Sequence, residues 1–317
     1  MASNPPLPLS AETVRQLALL RLHMSEVSVN LAHRHDAVGR IQAIILLDYV
    51  AESAVKTVAQ TLGCLRKTDK LEEIWGDVAA ALTTRGLPAL PLRNQINALR
   101  GVRNLTQHHG EIPSPESVAK NMASVSSFFE SVCDLYGKDA QELTSADLVQ
   151  DQDVRDLLQK SESALKAGDY QTTLTQARIA FDLALRRSPV AALLYKLDSL
   201  PHSWTLDMAG APKHFLNLIQ VLNDVQRQVD HLRNQSFVSR LGLDYVRHLT
   251  FLDMAPHTFW PGGPPDRKEP SNIRLTRHEY SPQEARFAFD YVLDVILRLE
   301  ALPAPSLPVS WHVRREF

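Results

Sequence analysis

Apolar residues recur along most of this chain at the three- and four-residue spacing of amphipathic α-helices. In the most apolar run, from Ile41 to Gln60, the only polar face is formed by Gln42, Asp48, Glu52 and Lys56. A helix with so little polar surface is expected at the centre of a bundle. Because short connections join the neighbouring patterns, residues 10–137 are predicted to form a four- or five-helix antiparallel bundle.

Capping residues mark where these helices begin and end. Ser10, Asp36 and Ser114 each precede a helical pattern and can accept hydrogen bonds from the free N–H groups of a first turn. Pro115 suits the first position of its helix, and Gly63 stands where the most apolar run stops. The termini are therefore predicted together with the helices.

The second half of the chain restarts helically after an acidic and polar stretch from Lys138 to Asp153. Helical patterns cover 154–166, the residues after Asp169, 214–239, and the residues after Ser281, which opens a capping box with Glu284. We predict an all-α protein of two helical-bundle domains, 1–140 and 141–317.

One tract interrupts the second domain. Residues Ala255 to Asn272 contain too many prolines and glycines to be helical. The tract is either a long surface loop or the crossing between two short strands, because Ile273 to Arg277 alternates as an edge strand does.

Composition sets limits on the class of protein. The chain is 44% hydrophobic and 22% charged, with a net charge of -2, so any nucleic-acid contact must be local. No apolar run is long enough to span a membrane, and the first residues lack the features of a secretory signal. Cys64 and Cys133 show neither metal-ligand spacing nor a disulfide framework, which makes a reducing cytoplasm the simplest expectation.

The chemistry-bearing residues concentrate on one predicted helix, which begins around Pro91. At about 100° per residue, one stripe of this helix carries Arg93, Asn97, Arg100, Asn104 and His108. The opposite side, expected to be buried, carries Ala98, Leu99, Val102 and Leu105.

Arg103, Asn104 and His108 combine groups that suit a phosphate. Arginine offers a planar fork of donors, and imidazole titrates near neutrality. Asn104 and His108 are four residues apart, so the amide is expected to orient the imidazole, while Arg103 stands on the flank of the stripe.

The pattern Arg-Asn-x-x-x-His at a helix end resembles the signature of the HEPN superfamily, small all-α domains that include many metal-independent ribonucleases of prokaryotic toxin and antiviral systems. Glu52 and Lys56 lie four apart on an upstream helix that resembles the Glu-bearing helix of such domains. We interpret this pair as a buried, structure-fixing one that orients the site.

The resemblance implies a metal-independent endoribonuclease that acts on RNA and needs no cofactor. The ribose 2′-hydroxyl would be the nucleophile, His108 the general acid or base, and Arg103 the group that stabilises the phosphate. Asn104 would hold the imidazole or a phosphate oxygen, and Arg93, Arg100 and His109 are candidate substrate-binding residues. The implied products carry a 2′,3′-cyclic phosphate and a 5′-hydroxyl.

The second half looks like a degenerate version of the same plan. Asp182 and Arg186 correspond to Glu52 and Lys56, and an Arg-Asn pair recurs at Arg233 and Asn234. Val238 occupies the histidine position, and a valine side chain cannot transfer a proton. This half is expected to serve dimer packing, substrate positioning or regulation.

Residues five apart on a regular helix point about 140° apart, so one copy of the motif converges Arg103 and His108 poorly. Family members solve this by pairing two domains around a shared cleft. We expect a homodimer through the motif-bearing domain. The second possibility is an internal pseudo-dimer in which Arg233 lends a cation to His108.

One other interpretation remains open. The chain could be a non-catalytic, ligand-sensing or protein-interaction module of the HEPN type. His108 and His109 would then be solvated residues favoured at a helix C-terminus. A role in antiviral defence or as a toxin, with an antitoxin or regulatory partner, follows only from the resemblance.

Overall fold

The structure is a computed structural model that describes residues 5–33, 36–66, 70–194, 213–260, 269–277 and 279–302. Within these ranges it contains eleven α-helices and one two-stranded sheet, which confirms the all-α class. The chain divides into two compact units, Met1–Leu148 and Val149–Phe317. The division falls inside the acidic stretch between Lys138 and Asp153, a few residues beyond position 140.

The described residues of unit 1 form five α-helices and two short 3-10 helices, Ala140–Glu142 and Ser145–Leu148. The α-helices are α1 (Ala11–His33), α2 (Ala37–Leu62), α3 (Leu71–Thr84), α4 (Arg93–His109) and α5 (Pro115–Leu135). Helix α2 packs against each of the other four. Most of its apolar side chains between Ala43 and Ala59 are buried, as the sequence pattern predicts for a central helix, while Val38 and Tyr49 are exposed.

The predicted capping residues stand at the helix starts. Ser10 Oγ accepts from the backbone N–H of Thr13 at 3.0 Å, and Asp36 Oδ1 accepts from that of Gly39 at 2.7 Å. Gly63 ends α2 in the left-handed region, at φ 73°, where a residue without Cβ is unstrained.

Unit 2 is built around α7 (Tyr170–Arg187), which packs against α6 (Gln152–Ala167), α8 (Pro189–Leu194) and α11 (Pro282–Ala301). Helices α9 (Lys213–Arg240) and α10 (Tyr245–Met254) precede a hairpin of β1 (His257–Phe259) and β2 (Asn272–Arg274). The capping box of α11 forms as predicted: Ser281 Oγ accepts from Glu284 N–H, and the Glu284 carboxylate accepts from Ser281 N–H.

The Pro/Gly tract thus contains β1, and its later residues lead to β2, so it connects two short antiparallel strands, one of its two predicted forms. Positions 261–268 of the tract lie outside the described residues. The second strand ends at Arg274 rather than Arg277, because Thr276 turns away to donate from Oγ1 to the carbonyl of Met254.

Asp182 and Arg186, the counterparts of Glu52 and Lys56 in the sequence, do not pair as those two residues do. Asp182 is 1% exposed, and its Oδ2 accepts from Arg178 Nε at 3.1 Å, from Thr258 Oγ1 and from Trp260 Nε1 at 3.3 Å. The guanidinium of Arg186 instead lies over the Trp260 ring, 4.9 Å from its centre. Asp182 therefore ties the strand β1 to α7.

Candidate active site on helix α4

The motif helix begins two residues later than its sequence predicts. Leu92 precedes it in the left-handed region, at φ 63°, and is the only residue other than glycine with positive φ in the described part of the chain. Pro91 therefore lies outside the helix rather than in its first turn. Gly110 ends the helix, also left-handed, and the N–H of the next residue, Glu111, donates to the carbonyl of Leu105 at 3.3 Å.

The buried face of α4 is rotated from the predicted one. Helix α4 packs against α2 and α5 through Ile96, Leu99 and Thr106, whereas Ala98 and Leu105 are exposed, Leu105 by 43%. At about 100° per residue, Arg103 falls between Ile96 and Leu99. The motif arginine therefore belongs to the side that faces α2 and not to the flank of the exposed stripe.

Acidic residues of α2 meet the arginines of α4. Arg103 Nε lies 3.5 Å from Asp48 Oδ2, and Arg100 Nη1 lies 3.3 Å from Glu52 Oε2. Glu52 also accepts from Lys56 Nζ at 2.6 Å, with side chains that are 23% and 40% exposed. Glu52 and Lys56 do pair, but the prediction that the pair is buried is wrong. The pair lies at the edge of the bundle, where Glu52 also contacts Arg100.

Asp48 is the site residue that sequence analysis missed. Its side chain is only 5% exposed, and its Oδ1 makes no hydrogen bond with the residues that the structure describes. Burial raises the pKa of this carboxyl, and the positive charges of Arg100 and Arg103 oppose the rise. The sequence feature that could have identified Asp48 is its position: it is an acid on the most apolar helix, one turn before Glu52 and on the same face.

Asn104 acts on Arg103 rather than on the histidine. Arg103 Nη1 donates to Asn104 Oδ1 at 3.0 Å, and Asn104 makes no bond to His108. Guanidinium carries five N–H groups. With Nε beside Asp48 and one Nη1 hydrogen on Asn104, no described residue accepts from Nη2, so Arg103 retains donors for an external anion.

The remaining candidates on α4 are free of protein partners. His108 and His109 occupy its last turn, and both are exposed. Arg93, at the first position, is exposed as well. None of the three forms a hydrogen bond or ion pair with a residue in the described ranges.

The second Arg-Asn pair lies on α9 of unit 2. Arg233 is exposed there, Asn234 Oδ1 is buried without a hydrogen bond to the described residues, and Val238 is 1% exposed. The side chain at the histidine position is therefore part of the core of unit 2, which is where a valine is stable.

Over the residues described, no group of three or more His, Cys, Asp or Glu side chains is placed to hold a metal ion, and no helix has the length and apolar character to cross a membrane. Comparison with models of known families, with curated proteins and with solved structures gave no match to this chain.

Proposed function

We propose that this protein is a metal-independent endoribonuclease of the HEPN type, with its active site on α4 of unit 1. Arg103, Asn104 and His108 carry the chemistry. The observation that supports this most is the set of contacts that Arg103 makes. Asp48 and Asn104 contact its Nε and Nη1, and no described residue accepts from its Nη2, which can therefore donate to a ligand. On the same helix, His108 is exposed and without a described partner.

The reaction uses a nucleophile that RNA supplies itself. An imidazole takes the proton of the 2′-hydroxyl as the 2′-oxygen forms a bond to phosphorus, and the bond from phosphorus to the 5′-oxygen breaks. The leaving 5′-oxygen then receives a proton, which gives a 2′,3′-cyclic phosphate and a 5′-hydroxyl. His108 is the proton carrier, and Arg103 stabilises the charge that develops on the phosphate oxygens.

The geometry of α4 favours a two-copy site. Because Arg103 faces α2 and His108 lies about 140° further round the helix, the two side chains diverge. A homodimer that apposes two copies of α4 would bring His108 of each copy towards a phosphate held beside Arg103. Arg93, Arg100 and His109 are then available to neighbouring phosphates, although Arg100 must share its charge with Glu52.

The biological setting that fits this chemistry is prokaryotic defence or growth arrest. Uncontrolled cleavage of RNA would harm the cell that makes the enzyme, so we expect control by an antitoxin or another regulatory partner. Unit 2, with Val238 in place of a histidine, is assigned to assembly or regulation rather than to catalysis.

The test is cleavage of a mixed-sequence RNA by purified protein in EDTA. Wild type is compared with Arg103→Ala, His108→Ala and, as a matched control, His23→Ala on α1, all purified identically so that a contaminating nuclease would appear in each. We expect both motif variants to lose at least about 100-fold in rate, and His23→Ala to keep wild-type activity.

Two further readouts identify the chemistry. Mass spectrometry of the fragments should find cyclic phosphates, and an RNA with 2′-deoxy substitution at a mapped cleavage position should resist cleavage there because its nucleophile is gone. Activity that survives in His108→Ala, or that cuts the deoxy position, would falsify the assignment.

The divergence of Arg103 and His108 also favours a second candidate, a non-catalytic ligand-sensing or interaction module. In that case Arg103 binds an anionic ligand, and His108 has no chemical role. The same experiment separates the two, since a folded dimer of such a module binds RNA or another anion through Arg103 but leaves the RNA intact.

A further inference from the structure

Asp48 occupies a position that stability alone does not explain. A carboxylate withdrawn from water normally gathers several hydrogen bonds, because its desolvation costs several kcal/mol. Asp48 has an arginine at 3.5 Å, and its Oδ1 is without a hydrogen bond to the described residues. An apolar residue here would suit the surrounding core of Ile44, Leu47 and Ala51 better.

The neighbouring acid, Glu52, is the ion-pair partner of two other cations near the site. Glu52, one turn further along α2, already contacts both Arg100 and Lys56. Among described residues, Arg103 has only Asp48 as an ionic partner. Within 4 Å, Arg103 is thus the ionic partner of Asp48 among the described residues, while the charge of Arg100 also acts on this carboxyl.

We infer that Asp48 is a positioning residue, which fixes the Nε edge of Arg103 from inside the bundle so that the other donors of the guanidinium are aligned on a phosphate. Asp48 does not touch the substrate. Because its side chain is buried in a central helix, it offers Arg103 a rigid contact that an exposed acid could not. Asn104 restrains the Nη1 side, so two contacts set the plane of the guanidinium.

The role assigned to Asp48 rests on the proposed ribonuclease function. It predicts that Asp48→Asn, which keeps the shape and removes the charge, lowers kcat for RNA about tenfold with less than a twofold change in KM, since alignment matters most as charge develops in the transition state. A structural role would instead change the amount of folded protein and leave kcat per folded molecule unchanged.

The matched control is Asp77→Asn. Asp77 lies on α3 of the same unit and pairs with Arg66 at 2.7 Å, so the substitution removes an equivalent charge away from α4. We expect Asp77→Asn to cleave RNA as wild type does.

A second measurement tests the Asp48–Arg103 contact independently of RNA cleavage. Phenylglyoxal modifies accessible guanidinium groups, and mass spectrometry gives the rate at Arg103 relative to Arg93, an exposed arginine of the same helix. Loss of the acid should raise this ratio several-fold in Asp48→Asn and not in Asp77→Asn. An unchanged ratio overturns the inference.

The two readouts keep the proposals separate. An active wild type with an equally active Asp48→Asn overturns the positioning role and leaves the ribonuclease standing. An inactive, folded, dimeric wild type counts against the ribonuclease, while the phenylglyoxal ratio still decides whether Asp48 holds Arg103.

Discussion

Each unit buries an aspartate on its central helix, but the two carboxylates serve different ends. Asp182 on α7 is enclosed and accepts from Arg178, Thr258 and Trp260. Asp48 on α2 meets a single arginine whose side chain remains 32% exposed. Three donors meet Oδ2 of Asp182 and one arginine lies beside Oδ2 of Asp48, while Oδ1 of each is without a hydrogen bond to the described residues. The difference teaches that an acid with several donors on one oxygen joins elements of structure, whereas the one contact of Asp48 suits the positioning role that we propose.

The largest effect is expected at Asp182. Asp182→Asn removes the charge that Thr258 and Trp260 share, and breaking a buried charged network of this kind costs about 3 kcal/mol. Hydrogen exchange should show loss of protection in α7 and β1. Asp156→Asn, at an exposed position on α6, is the control and should change stability by less than about 0.5 kcal/mol. If the two variants behave alike, Asp182 is not an anchor.

The second-largest effect is expected from acid pH, which should lower the free energy of unfolding of unit 2. Burial, with a smaller contribution from the charge of Arg178, lowers the pKa of His248 from 6.5 to about 4, and its Nδ1 lies 2.7 Å from the hydroxyl of Tyr291. As pH falls below about 6.5, His248 takes up a proton in the unfolded chain, whereas in the folded chain it does so only near pH 4. Protonation therefore favours the unfolded chain, and the stability present above pH 6.5 is lost as pH falls towards 4. The loss approaches about 3 kcal/mol.

Urea unfolding of unit 2, followed at several pH values between 7 and 4 by hydrogen exchange of α10, measures that loss. His248→Phe cannot take up the proton, so its stability should depend much less on pH than that of wild type. A slope equal to that of wild type would assign the acid sensitivity to other groups.

The smallest effect is expected for the stability of Asp48→Asn. Since this carboxylate is poorly satisfied, its replacement should change the stability of unit 1 by less than about 1 kcal/mol. Cys133 on α5 is a suitable reporter because burial, reinforced by nearby acids, raises the pKa of its thiol to about 12, so alkylation requires unit 1 to open.

The rate of Cys133 alkylation in increasing urea, in a Cys64→Ser background, would compare Asp48→Asn with the parent. A cost as large as that of Asp182→Asn would make Asp48 a structural anchor and would remove the contrast between the units.

Regular patterns made most of the helices predictable. The apolar run of α2, the caps at Ser10 and Asp36 and the capping box of α11 all depend on residues close together in sequence, so local spacing reveals them. Helix α10 escaped prediction because its pattern is inverted: His248 is buried while Val246 is 69% exposed.

The candidate site was predictable only in part. Spacing placed Arg103, Asn104 and His108 on one helix, but which face of that helix is buried depends on α2 and α5, which lie far away in sequence. For the same reason Asp48 looked like one polar residue among four. A carboxylate chooses among several cations by packing, as Asp182 shows by pairing with Arg178 and not with Arg186.

The left-handed residues at the two ends of α4, Leu92 and Gly110, also limit how this helix can change over evolutionary time. With both boundaries fixed, an inserted or deleted residue cannot be absorbed by moving an end. Any such change between Arg93 and Arg100 would turn the following residues by about 100° and carry Arg103 away from α2. The chain can exchange exposed side chains of α4 outside the motif, but it cannot change the number of residues there without losing the site.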